Sequence, residues 1–321
     1  MRGRPGLVAC ILAALIGASA AGAAMAELRQ GLTTLPSKRG FTFLVELGNA
    51  PFPVGPGAVD HRGQPFWHGV DRPNGQRFRF LGNGRRYLEG AAYGDARVLF
   101  HVPRAFNAAK PFHLVIFMHG HDSDLERTLV RDYDLPGQIE RAGVNAVLIA
   151  PQLARNAQDS VPGKFVEPGR ATDFVDEAEL VLHNVLGIPD APLRAAPIVL
   201  AAFSGGYRTL AQILARGGLD DRIAGLVLLD ALYADTEIYA RWLDQHAQEA
   251  FAYTLYSPSS QMETAKLRAA LRLYNVPFAD EDDGGPMKGV RFVRTATPHG
   301  EIPLKGPPRE PLAALLKRIA P

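Results

Sequence analysis

From Arg97 onward the chain alternates short apolar runs with longer stretches of helical spacing. Arg97-Val98-Leu99-Phe100-His101-Val102 has the composition of a strand and stops at Pro103. His113 to Met118 (HLVIFM) is an unbroken apolar run, the pattern of a strand covered on both faces. Asp124 to Arg141 carries helical spacing, with Pro136 starting a second helix inside it. Ala146 to Ala150, Ile198 to Phe203, Leu226 to Leu229, Phe251 to Tyr256 and Val290 to Thr295 predict further strands. Thr172 to Leu186, Tyr207 to Ala215, Thr236 to Ala250, Met262 to Tyr274 and Pro311 to Ile319 predict helices, with Gly187 and Gly217-Gly218 as stops. Such alternation predicts an α/β fold: a doubly wound, mostly parallel sheet with helices on both faces, the helices serving as crossovers between parallel strands.

Residues 27–96 read differently. They are rich in Gly, Pro and aromatic residues, with short strand-like runs at Phe41-Thr42-Phe43-Leu44-Val45 and Arg77-Phe78-Arg79-Phe80. Residues 1–26 differ again. Arg2 and Arg4 precede an apolar stretch from Leu7 to Ala24, and Ala24-Met25-Ala26 places small residues where a signal peptidase cuts. The expected organisation is a signal peptide at 1–26, a loop- and strand-rich lead-in at 27–96 and a catalytic domain at 97–321. Export to the periplasm or the exterior follows, with no stable membrane insertion after cleavage.

Removing that segment changes the chemistry available. Arg2 and Arg4 leave with it, so 33 of the 35 Lys and Arg remain against 33 Asp and Glu. A balanced chain offers no electrostatic case for a nucleic-acid partner. Cys10, the single cysteine, leaves too, which excludes disulfides, thiol nucleophiles and thiolate metal sites in the mature chain. With 47% apolar and 21% charged residues, the composition is that of an ordinary globular protein.

Sites in doubly wound sheets lie beyond the carboxyl ends of the strands. After HLVIFM stands His119-Gly120-His121-Asp122; after IVLAAF, Ser204-Gly205-Gly206; after LVLL, Asp230; and beyond the last strand, Thr297-Pro298-His299-Gly300. A serine hydroxyl is a weak nucleophile until a base takes its proton. Histidine is that base near neutral pH, and a buried carboxylate holds its tautomer and stabilises its cation. Ala202-Phe203-Ser204-Gly205-Gly206 has the small-x-Ser-x-Gly form of a nucleophile elbow at a strand-to-helix junction, where small flanking residues let strand and helix approach.

In these motifs, HLVIFMHGH, AAFSGGY, the order Ser-acid-His and the late TPHG, the chain from about Arg97 resembles the α/β-hydrolase superfamily. The resemblance implies an acyl-transferring serine hydrolase without a cofactor, with Ser204 as nucleophile and His299 as base. It implies an oxyanion site made by the backbone N–H groups of His121 and Gly205. The family's acid more often follows the strand after Asp230's, but here that strand, FAYTLY, ends in Ser257-Pro258-Ser259. Some members place the acid one strand earlier, which points to Asp230 in LLDALYAD, with Asp235 as the alternative and the Asp280 to Asp283 cluster more distant.

Two rival readings compete. A metal-dependent hydrolase could use His119 and His121 with Asp122 and Asp124 near, completed by His299 and Glu301; imidazole and carboxylate at that spacing suit zinc. A secreted binding protein on an inactive hydrolase scaffold is the other. Neither a phosphate-cradling loop nor a dinucleotide glycine pattern occurs. The expected substrate is a small-molecule or cell-envelope ester or amide. Tyr207, Tyr233 and Trp242 are candidates for a pocket wall, with core packing the more ordinary role.

Overall fold

The structure is a computed structural model that describes residues 31–37, 40–82 and 84–319. The proposed export segment lies outside them. Among the described residues no helix is long and apolar enough to cross a membrane. Thirteen strands are formed among the described residues: β1 (Thr33–Leu35), β2 (Gly40–Glu46), β3 (Gly69–Val70), β4 (Arg77–Phe80), β5 (Arg86–Leu88), β6 (Arg97–Pro103), β7 (His113–Met118), β8 (Ala146–Pro151), β9 (Ile198–Phe203), β10 (Ile223–Leu229), β11 (Phe251–Tyr256), β12 (Phe278–Ala279) and β13 (Val290–Arg294). The helices are α1 (Leu135–Ala142), α2 (Arg170–Leu186), α3 (Asp190–Ala195), α4 (Tyr207–Arg216), α5 (Thr236–His246), α6 (Gln261–Leu273), α7 (Ile302–Lys305) and α8 (Pro311–Leu316).

Ten strands make one sheet in the order β1-β2-β6-β8-β7-β9-β10-β11-β13-β12. The pairs from β8 through β12 are parallel, while β1, β2 and β6 join antiparallel. This is the doubly wound, mostly parallel arrangement. The apolar runs are unbroken because alternate residues enter separate cores. In β7, Leu114, Ile116 and Met118 face one layer, and Val115 and Phe117 the other. In β9, Ile198, Leu200 and Ala202 face the first, and Val199, Ala201 and Phe203 the second. Helices α2, α4, α5 and α6 cover the first layer; α1, α7 and α8 cover the second. Two predicted helices meet breaks where their sequences require them: Pro136 sits in the first turn of α1, and α2 ends on Gly187 at φ 69°, which favours glycine. The stretch predicted as helix to Ala250 ends at His246, whose carbonyl instead accepts the turn N–H groups of Glu249 and Ala250.

The strand order reverses between β7 and β9. From β7 the chain runs outward to β8, then returns to place β9 on the other side of β7. The helices that follow them cover opposite faces of the sheet, α1 after β7 and α4 after β9, which makes this the topological switch point where sites lie in such sheets. The residues following β7 and β9 are His119 and Ser204.

Segment 31–96 supplies β1, β2 and the small sheet β3-β4-β5. β2 pairs with β6 along its whole length, from Gly40 opposite Pro103 to Glu46 opposite Arg97. The rest packs Phe52, Val54, Phe66, Ala92 and Tyr93 against Ala154, Ala157 and Val161 of the loop after β8. Within that contact the Arg79 guanidinium donates to Asp159 at 3.1 Å and to the Phe66 carbonyl at 3.0 Å, and Tyr93 Oη donates to Asp159 at 2.8 Å. The ionic side chains of Arg79 and Asp159 are only 10% and 7% exposed. Removing one member of such a pair leaves a buried charge without its partner. Arg79→Met is therefore expected to lower unfolding free energy by about 3–5 kcal/mol, measured by urea denaturation; a loss under about 1 kcal/mol would show that the contact contributes little.

Candidate active site

The elbow begins where β9 ends. Phe203 is extended at φ −118°, Ser204 turns to φ +52°, and Gly206 is already helical at φ −63°. A side-chain-bearing residue in the left-handed region is strained, so the surroundings must impose it. They do so by close backbone approach. A Cβ on Gly206 would run into the Met118 carbonyl oxygen. One on Gly205 would lie 2.5 Å from Cδ2 of His121, and one on Gly120 would lie 2.8 Å from Cβ of Ser204. The turn after β7 and the elbow after β9 thus nest together only because three positions lack side chains.

His299 enters from the far side. Thr295 N–H bonds to the Tyr256 carbonyl, Thr297 N–H bonds to Thr295 Oγ1, and Pro298 leads into the helical turn that His299 begins. The imidazole stacks on Phe203, ring centres 4.9 Å apart. Its Nε2 lies 2.8 Å from Ser204 Oγ, and its Nδ1 lies 2.6 Å from Asp230 Oδ2. An ionised carboxylate only accepts, which puts the proton on Nδ1 and leaves Nε2 to accept from the serine hydroxyl.

Asp230 follows β10 in the left-handed region, φ +45°, with its N–H bonded to the Leu255 carbonyl of β11. Its carboxylate is wholly buried. Oδ1 accepts from Ser257 N–H at 2.9 Å and from Ser260 Oγ; Oδ2 accepts from Ser257 Oγ at 2.7 Å, Ser259 Oγ at 2.9 Å and Tyr233 Oη at 3.3 Å, besides His299. Burial alone would raise its pKa, but the hydrogen bonds from His299, Ser257 and Ser260 hold it well below the usual carboxylate range. The end of β11 that lacks a carboxylate therefore carries the hydroxyls that receive one from β10. Burial pushes Tyr233 up to about 12, so its phenol keeps its proton.

The remaining candidates fall elsewhere. Asp235 caps α5 and accepts from Arg208 Nε at 3.2 Å, outside the Ser204–His299 line. Asp282 and Asp283 pair with Arg291, and Asp282 also with Arg318, while Asp280 pairs with Arg268. His121 and Gly205, named for the oxyanion amides, touch beside Ser204; His121 Nε2 also lies 2.7 Å from Ser160 Oγ. Trp242 is buried and donates to Asp220, a packing role.

The metal reading fails at His119. Its Nε2 accepts the Leu153 N–H at 2.8 Å, so its Nδ1 carries the proton and donates to the Gly120 carbonyl at 2.7 Å. Burial pushes its pKa down to about 4 and keeps it neutral, and neither nitrogen has a lone pair to give. Asp124 caps the helical turn Leu125–Asp132 and pairs with Arg155, and Glu301 pairs with Lys305. No group of three His, Asp or Glu side chains among the described residues is placed to hold a metal ion.

Of the residues around the site, Ser160 and Ser260 carry no expectation from the sequence, Ser257 and Ser259 enter only as the end of a strand without a carboxylate, and Tyr233, a candidate pocket wall, instead donates to Asp230. The one signal was the hydroxyl run Ser257-Pro258-Ser259-Ser260 at a strand end. Ser160 is also held from the lead-in, because its neighbour Asp159 takes the Arg79 and Tyr93 bonds. Gly206→Ala is expected to cost about 1–3 kcal/mol of stability, since backbone must move to admit the methyl group. Urea unfolding measures it; an unchanged midpoint would mean the two turns are not held in close contact.

No protein-family model matches the chain, and no curated protein matches it. Among solved structures it is similar to an S-formylglutathione hydrolase from Agrobacterium tumefaciens, at 8% identity over 90% of this chain and 99% of that one, TM-score 0.47. It is also similar to a feruloyl esterase module from Clostridium thermocellum, at 12% identity over 84% and 94%, TM-score 0.43. A thermostable esterase from Pseudomonas putida aligns at 12% identity over 81% and 82%, TM-score 0.40. These likenesses are distant.

Proposed function

We propose that this chain, which has the α/β-hydrolase fold, is a serine hydrolase that cleaves an ester or amide bond through Ser204, His299 and Asp230. The observation that carries the reading is the continuous line of hydrogen bonds, 2.8 Å and 2.6 Å, from a strained serine at the switch point to a buried carboxylate. His299 Nε2 takes the Ser204 proton as Oγ attacks the substrate carbonyl. The carbonyl oxygen becomes an oxyanion, held by the N–H groups of His121 and Gly205. His299 then gives its proton to the leaving alcohol or amine, and an acyl-enzyme remains. Water, deprotonated by the same nitrogen, releases the acid and restores Ser204. Asp230 keeps the imidazole in its Nδ1–H tautomer and stabilises its cation without taking the proton.

The reading of an inactive scaffold has no such support: the hydroxyl, imidazole and carboxylate are all within hydrogen-bond reach. The reading includes export, with residues 1–26 removed, and a small-molecule or cell-envelope substrate. The mass of the mature protein recovered outside the cytoplasm tests export; a chain still beginning at Met1 would overturn it.

Turnover of a simple aryl ester tests the chemistry. Ser204→Ala is expected to lower kcat by something on the order of 10⁶-fold in folded protein. Asp230→Asn is expected to cost about 10⁴-fold by stabilising the wrong tautomer, while Asp235→Asn leaves kcat near the parent value. Retained turnover in Ser204→Ala would overturn the mechanism, and the two aspartate effects reversed would move the acid to Asp235.

A further inference from the structure

The hydroxyls around Asp230 hold more contacts than protons. Ser257, Ser259 and Tyr233 carry one hydroxyl proton each. Besides their three bonds to Asp230 Oδ2, Ser257 Oγ lies 2.7 Å from Ser259 Oγ, and Ser259 Oγ lies 2.8 Å from Tyr233 Oη. Five contacts therefore compete for three protons. At one extreme all three hydroxyls point at Oδ2. At the other, Tyr233 donates to Ser259, Ser259 to Ser257, and only Ser257 to Oδ2. Moving between these states exchanges hydrogen bonds by hydroxyl rotation alone, with no covalent bond broken. Tyr233 Oη also stands 3.2 Å from His299 Nδ1, so the ring borders both members of the acid–base pair.

Each hydroxyl proton on Oδ2 draws negative charge away from the oxygen that holds His299. A carboxylate relieved in this way stabilises the imidazolium less. We propose that Tyr233 and Ser259, together with Ser257, form a rotatable hydroxyl ring that limits the basicity of His299 through Asp230 and so sets the acid end of the enzyme's working pH range. The ring is a positioning and tuning device acting through Asp230, and it rests on the proposed role of His299 as the base for Ser204. Its protons turn toward Oδ2 while the imidazole is neutral and turn away as the cation forms, which leaves Asp230's charge available when the transition state needs it.

Other titratable groups stand around the pair. His121 comes from the turn after β7, and burial holds it below the ordinary histidine range. Tyr207, at the start of α4, lies beyond Tyr233 with ring centres 6.0 Å apart, and Tyr133 lies beyond Phe203. From 257–260 the pair meets hydroxyls and one backbone N–H. Tyr233 and Ser259 are only partly buried or exposed, so replacing them does not open the core.

The test is the pH dependence of kcat/KM for 4-nitrophenyl acetate, and in parallel of the labelling rate by a fluorophosphonate, in the full chain and in Tyr233→Phe, Ser259→Ala and the double variant. Protonation of the base switches both reactions off at low pH. With fewer donors Asp230 holds the imidazolium more tightly, so the base stays protonated to higher pH. The acid limb is expected to move upward by about half a unit to one unit in each single variant, the effect of one hydrogen bond, and further in the double. A uniform rate loss with the limb unmoved would make these residues merely structural and overturn the proposal. A limb moved downward would overturn its sign. Ser204→Ala separates the two levels: reaction surviving that change overturns the proposed function and this inference with it, whereas a dead Ser204→Ala with an unmoved limb overturns the inference alone.

Discussion

The close approach of two backbone turns, one after β7 and one after β9, is the constraint on which the site depends. The Met118 and His119 carbonyls press on Gly206, the His121 ring presses on Gly205, and Ser204 presses on Gly120. That contact is possible because β7 and β9 are parallel neighbours in register, Met118 beside Ala202, while the helices that follow them, α1 and α4, cover opposite faces of the sheet. The strained conformation of Ser204 is a consequence of this crowding. It holds the hydroxyl within hydrogen-bond reach of His299, and the two cores beneath, each filled by alternate residues of the same strands, keep the turns from separating.

Charge placement follows from this frame. A carboxylate taken out of water costs several kcal/mol unless its lone pairs are satisfied. Asp230 meets that requirement with one imidazole, one backbone N–H and four hydroxyls, and so remains an anion in a buried position. His119 meets the same problem in the opposite way: buried between β7 and β8, it stays neutral and uses both nitrogens on backbone groups. Two buried ionisable residues at the ends of β7 and β10 thus differ in charge, one neutral and one an anion, and the difference lies in what each accepts or donates.

The strands and the elbow were legible because their signals are local. HLVIFM and IVLAAF could be read as doubly covered strands, and Ser204-Gly205-Gly206 follows the second with no intervening residue. The hydroxyl cradle was not legible, since it needs the register that sets Leu229 beside Leu255, two strands separated by a helix. The choice between Asp230 and Asp235 has the same origin. Both follow β10 within six residues, and only the three-dimensional position of Arg208 and of the 257–260 loop distinguishes their surroundings. The docking of the lead-in on the loop after β8 was equally hidden, because Arg79 and Asp159 are 80 residues apart and each reads alone as a surface charge.

The order of the ten strands also bears on how the chain stays out of trouble while it folds. Its two edges are the shortest strands in the sheet, Thr33–Leu35 at one side and Phe278–Ala279 at the other. A long, flat edge would expose a row of unpaired N–H and C=O groups to any other extended chain. Without β2, the seven residues of β6, six of them buried, would be such a row. The N-terminal strands therefore act as a selvedge, a finished border that keeps the fabric from joining to its neighbours, and a fragment cut at Arg97 would be an aggregation-prone one.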